Sequence, residues 1–152
     1  MILGASPLAS VSIAGGRFVI AIAAPTTVGG PVADVIRGDW RASTGSALYP
    51  MVNETEAESG ANPNPNYIRT TTLSTCEIAL GVMTVPGNRM RYKAASSLGN
   101  GLVFELLSDG VLVASWAHNL SATDDIYSHT LTPAQVAMMT GGYLTARMTA
   151  TQ

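Results

Sequence analysis

Charge is what this chain has least of. Only 12% of its 152 residues are charged, 8 Lys and Arg against 10 Asp and Glu, giving a formal net charge of −2. Lys93 is the sole lysine, and a dedicated nucleic-acid binder needs a basic surface that such an inventory does not supply. Cysteine is nearly absent too. Cys76 stands alone, which excludes a disulfide framework and a Cys-rich zinc module. Aromatic residues make up 6%, low for a surface built to stack on sugar rings. Long apolar runs are missing: Phe18 to Ala24 falls far short of the ~20 residues a membrane helix requires. No basic residue precedes that run except Arg17 beside it, so no secretory signal is expected.

What is present is apolar. The chain is 47% hydrophobic with a mean hydropathy of +0.25, which argues for a packed core and against disorder. Its length suits one domain that hides roughly two thirds of its extended surface. A weakly charged, apolar chain of this kind points to a surface covered by partners. Residues 1–33 read as an apolar arm with β-capable stretches at Ile2, Leu3, Leu8, Val11, Ile13, Phe18, Ile20 and Ile22, punctuated by Gly15, Gly16, Pro25, Gly29 and Gly30. Left bare, these stretches are an aggregation hazard. Two readings follow with about equal weight. In one the arm docks on a neighbouring subunit or another protein; in the other it is an extra strand or short helix on its own domain.

From Asp34 to Gln152 the texture becomes that of a single all-β domain, a β-sandwich of jelly-roll or immunoglobulin-like kind with one short helix near its C-terminus. Arg89 to Ala94 alternates cleanly, with Met90, Tyr92 and Ala94 on one face and Arg89, Arg91 and Lys93 on the other. Thr75 to Leu80 points Cys76, Ile78 and Leu80 inward and Glu77 outward. Leu102 to Trp116 reads as a hairpin around Ser108-Asp109-Gly110, with Trp116 sharing a buried face with Leu112 and Ala114. Thr132-Pro133-Ala134-Gln135 carries a capping-box pattern with Pro at the first helical position. That helix stops at Gly141-Gly142 and plugs one end of the sandwich through Val136 and Met139. Tyr143 to Ala150 closes the domain, with Arg147 outward.

Chemistry is scarce, and each candidate has a plainer reading. His118 and His129 stand at no metal-ligand spacing, and structural or surface roles outweigh ligation or base catalysis. Asp124-Asp125 has the oxygens for calcium, but adjacent acids in a turn are usually solvated. Glu54, Glu56 and Glu58 sit in a Gly/Asn/Pro-rich loop, a poor platform for a glycosidase acid pair. Cys76 alternates inward and reads as an inert thiol. No Ser-nucleophile elbow, phosphate loop or dinucleotide fingerprint occurs. Arg37-Gly38-Asp39 matches the tripeptide that integrins read, yet three residues recur by chance. The sequons at Asn53 and Asn119 matter only on a secretory route. The basic strand face Arg89, Arg91 and Lys93, with Trp40, is a candidate surface for a glycan or an acidic partner; pairing of the basic face with Glu77 or Glu105 across strands is the plainer alternative. The expectation is no enzyme, no catalytic residue, no metal and no cofactor.

The order of segments resembles a β-sandwich module of structural proteins in tailed bacteriophages and related virus-like particles. There a Trp opens the domain, a Tyr-Ile pair follows an acidic loop, and a Leu-Thr-x-x-Gln turn precedes the last strand. Trp40, Tyr67-Ile68 and Leu131-Thr132-Pro133-Ala134-Gln135 carry the match, over about Asp34 to Ala150. The resemblance implies a virion, assembled in the host cytoplasm, as the location. It implies a homo-oligomer contacting the major capsid protein or other virion proteins, without nucleic acid or membrane. A capsid decoration or cement protein anchored by the arm is the leading expectation. The alternatives are a head-fibre or tail protein binding a host surface glycan, and a free carbohydrate-binding module.

Overall fold

Where side chains alternate, the chain pairs into strands. A computed structural model describes residues 8–10, 19–23, 30–52, 67–123 and 125–152. In chain order the strands are β1 (Leu8–Ser10), β2 (Val19–Ala23), β3 (Ala33–Ile36), β4 (Arg41–Ala42), β5 (Ile68–Arg69), β6 (Thr75–Val82), β7 (Arg89–Ala94), β8 (Gly101–Ser108), β9 (Val111–Asn119), β10 (Asp125–Thr130) and β11 (Tyr143–Thr151), with helix α1 (Pro133–Met139) before the last. Pairing is antiparallel throughout these strands. One sheet has the order β1-β2-β7-β10, the other β3-β6-β11-β8-β9, and β4-β5 is a small separate ladder.

The fold is all-β and sandwich-like, and its core is what the two large sheets hide between them. Met90, Tyr92 and Ala94 of β7 face Cys76, Ile78, Leu102, Phe104, Leu106, Ala146 and Met148 of the other sheet, all buried in one cluster. Tyr92 stacks on Phe104 with ring centroids 4.4 Å apart. Each large side chain so enclosed contributes about 1.5–3 kcal/mol of burial. The hairpin forms at the expected turn: Asp109 and Gly110 adopt φ of 50° and 78°, the left-handed pair that matches strand twist.

Helix α1 begins as its sequence demands. Thr132 accepts from the Gln135 amide, and the Gln135 side chain accepts from Thr132 N–H at 2.8 Å. Met139 is fully buried and Val136 packs against the core, so the helix plugs the sandwich as its apolar positions suggest. Cys76 is enclosed as well, and burial, with Asp34 and Glu77 nearby, pushes its thiol well up from the ordinary range.

Three expectations change. Trp40, read as surface, is 0% exposed, with its indole N–H donating to the Ser74 carbonyl at 3.1 Å. A large apolar ring gains most by burial when its one donor finds a partner. On β9, a bulge opposite Leu106 and Leu107 shifts the register, so Ala114 opposes Leu106 while Leu112 opposes Leu107. The extra residue, Val113, is buried and Leu112 is half exposed. The third concerns the basic face, whose cross-strand neighbours on β10 are Thr130, Ser128 and Ile126. Glu77 and Glu105 lie in the other sheet and flank Arg147 of β11, at whose rows they are the direct partners.

The arm contributes to the sandwich sheet. β1 and β2 form a hairpin, and β2 adds to β7 through Ala21, Ile22 and Ala23 opposite Arg91, Met90 and Arg89. The first strand of the sandwich proper, β3, starts at Ala33. Ile2, Leu3, Val11, Ile13 and Phe18 lie outside the described residues; for Leu8, Ile20 and Ile22 the description extends to the backbone of β1 and β2. Glu54, Glu56, Glu58 and Asp124 also lie outside it.

The tripeptide Arg37-Gly38-Asp39 is a turn tied to the body, with Trp40 N–H donating to Arg37 O and Asp39 N–H to Ser74 Oγ. Gly38 has φ of 53°, and a Cβ there would stand 2.4 Å from both Ser74 Oγ and the Thr75 backbone oxygen. Gly38→Ala is therefore expected to destabilise by about 2–3 kcal/mol, because a backbone carbonyl cannot swing aside. A urea midpoint within error of wild type would show that the turn relaxes freely.

Candidate functional site: rings between two sheet edges

β9 and β10 are edge strands of different sheets, joined by residues 120–124, and they run antiparallel along one open side of the sandwich. No backbone ladder joins them. Side chains close the gap instead. Trp116 of β9 stacks on His129 of β10 with centroids 4.3 Å apart and planes 12° apart. Two residues along, His118 packs on Tyr127 at 3.9 Å. Both pairs follow from the period of two: Trp116 and His118 share a face of β9, as Tyr127 and His129 share a face of β10.

Tyr92 of β7 lies beneath these pairs, fully buried, and opposite Tyr127 in the ladder. Its hydroxyl meets Nε2 of His118 and, at 3.0 Å, Nε2 of His129. A phenol carries one proton, so it donates to one imidazole and accepts N–H from the other. The two neutral rings therefore hold opposite tautomers, an assignment that rests on proton counting. Burial lowers His118 to about 4, and the neighbouring His129 adds to the effect. Burial also lowers His129. It raises the Tyr92 phenol far above its ordinary 10, with Tyr127 adding. Tyr127 is raised by burial and then by Asp125.

At neutral pH the cluster is thus uncharged, its phenol protonated and both Nε2 atoms bonded to one oxygen. Such wiring joins three strands and two sheets. Among the described residues, no three His, Cys, Asp or Glu side chains gather as metal ligands would, and no helix is long and apolar enough to cross a membrane.

The surface candidates lie elsewhere. Arg89 is exposed and Arg91 and Lys93 are half-buried on the outer face of β7, opposite Tyr92, and Trp40 does not join them. The cluster itself escaped the sequence reading, which took the two His one at a time. The signal was present in Trp116-x-His118 and Tyr127-x-His129, two ring pairs at strand spacing on consecutive strands. Pairing them needed knowledge that β9 and β10 face each other across sheets. Set against family models, curated proteins and solved structures, the chain finds no match.

Proposed function

We propose that the protein is a non-enzymatic structural component of a virion, a capsid decoration or cement protein anchored through its N-terminal arm. The observation that carries this reading is the β1–β2 hairpin, which extends an existing sheet by adding β2 to the edge of β7. Strand addition of an apolar segment, here with Arg17 as its one charge, is a general mode of assembly, with main-chain hydrogen bonds supplying affinity, and the same hairpin can occupy that edge in its own subunit or a neighbour's. The residues that carry the phage-module resemblance support the reading as structural parts: Trp40, Ile68 and Leu131 are buried, and Thr132 with Gln135 caps α1. The hydrogen-bonded cluster at the β9–β10 seam serves cohesion. The glycan-binding alternatives lose support from the indoles, because Trp40 is enclosed and one face of Trp116 is covered by His129.

Copy number in purified particles tests the proposal. Hundreds of copies fit a capsid lattice, a few dozen fit a vertex or tail, and absence from particles defeats it. Deleting residues 1–29 is expected to abolish incorporation, with circular dichroism reporting whether the remaining chain folds. A second variant, Ile2→Asp with Leu3→Asp, leaves β1 and β2 intact and is expected to cut occupancy at least tenfold. Wild-type occupancy by both variants would remove the arm from the account.

A further inference from the structure

We propose that Tyr92, His118 and His129 form a proton-operated latch between the two sheets, closed when both imidazoles are neutral and released when both are protonated. The inference rests on counting donors. In the closed state one hydroxyl proton and one Nε2–H make two hydrogen bonds, and the phenol oxygen and both Nε2 atoms are satisfied. With both imidazoles charged, both Nε2 atoms become donors, neither ring can accept the phenol proton, and two cations stand with ring centroids 5.5 Å apart. Tyr92 cannot relieve this by ionising, because burial holds its phenol protonated.

Among the described residues the neighbours are mostly rings. β7 offers Tyr92, since Arg91 and Lys93 alternate to its far face; β8 offers Phe104, β9 Trp116, and β10 Tyr127. Asp125 begins β10 on the same strand face as Tyr127 and His129; its carboxylate accepts from Ser121 Oγ at 2.7 Å and raises the Tyr127 phenol. Among the described residues no carboxylate hydrogen-bonds to either imidazole, so the protons enter a site made of rings. The consequence is local because the seam has no backbone ladder: among the described strands β9 is laddered to β8 alone, with one further tie from Gln135 of α1 to the Val113 carbonyl, and β10 is laddered to β7 alone. Releasing the latch frees two sheet edges while the interior strands β6, β11 and β8 keep their pairing. The protein then exposes two unpaired edges in acid that it keeps bridged at neutral pH.

The sign follows from the folded values lying below the ordinary 6.5. Above pH 7 folded and unfolded chains carry these imidazoles neutral, and stability is flat. As pH falls from about 6.5 to about 4 the open or unfolded chain takes up protons that the closed latch refuses, and the closed state loses ground.

The test is a titration of the whole chain. By NMR, the ring carbons of both His are expected to titrate below 6.5, and His118 near 4. Amide exchange, corrected for its intrinsic pH dependence, is expected to rise about tenfold or more in β9 and β10 between pH 7 and pH 4.5, with β6 and β11 unchanged. Replacing both His with Gln is expected to flatten that profile. Ordinary titration of both His near 6.5 would overturn the proposal, as would acid exchange rising equally in all strands. Should the double variant fail to fold, the wild-type titration and exchange pattern decide alone.

Discussion

Trp40→Ala is expected to cost about 3–5 kcal/mol, the largest single loss available in this core. The ring is 0% exposed and belongs to the cluster with Leu48, Val52 and Ile68. Removing it empties a volume that the chain has few ways to refill: the preceding turn is tied to Ser74, and the following strand β4 is paired to β5. Beyond the cavity, the Ser74 carbonyl loses its indole donor, 3.1 Å away. Trp40→Phe separates the two effects, since it keeps most of the volume and is expected to cost about 1–2 kcal/mol. Against a domain stability of about 5–15 kcal/mol, the alanine variant stands near unfolding. Urea melts with unchanged slope measure both. A loss below about 1 kcal/mol for the alanine would mean that the site collapses around the missing ring.

Arg147→Met carries the second large effect, for an electrostatic reason. Arg147 lies on the outer face of the five-stranded sheet between Glu77 of β6 and Glu105 of β8, its direct cross-strand neighbours. Its Nε donates to Glu77 Oε1 at 2.5 Å and its Nη1 to Glu105 Oε2 at 3.4 Å. These contacts raise the guanidinium above its ordinary range, the Glu77 hydrogen bond most. The Glu77 side chain is 11% exposed and that of Arg147 36%. Methionine in place of the cation leaves two carboxylates facing one another, one nearly enclosed. Stranding a fully buried charge costs about 3–5 kcal/mol; the partial exposure of Arg147 brings the expectation to about 2–3 kcal/mol. Adding Glu77→Gln to the methionine variant is expected to restore at least half of the loss, because a neutral amide requires less. A double-mutant cycle with no coupling would place the interaction in the solvated, negligible class.

Much of the fold was legible because its signals are local. Arg89 to Ala94 is β7 without adjustment, since alternating residues on a strand sort to two faces whatever the strand pairs with. Asp109-Gly110 turns where it should because those two residues tolerate positive φ. Thr132, Pro133 and Gln135 start α1 because a cap and its box close within four residues. The arm was legible only as apolar and β-capable; that β2 pairs with β7, some 70 residues away along the chain, follows from no local rule.

Local chemistry by itself determined that this chain is all-β, where its clearest strands and turns lie, and that its core residues alternate with polar ones. The tertiary structure alone decided which strands became neighbours, and with them the features that bear on behaviour. The bulge at Val113 arose from matching β9 to β8, so it reversed the faces of Leu112 and Val113. Glu77, Arg147 and Glu105 met because β11 inserted between β6 and β8 in an order unrelated to sequence. His118 and His129 look ordinary one at a time. They became one hydrogen-bonded unit because the two sheets closed over Tyr92, and a single hydroxyl then stood within reach of both.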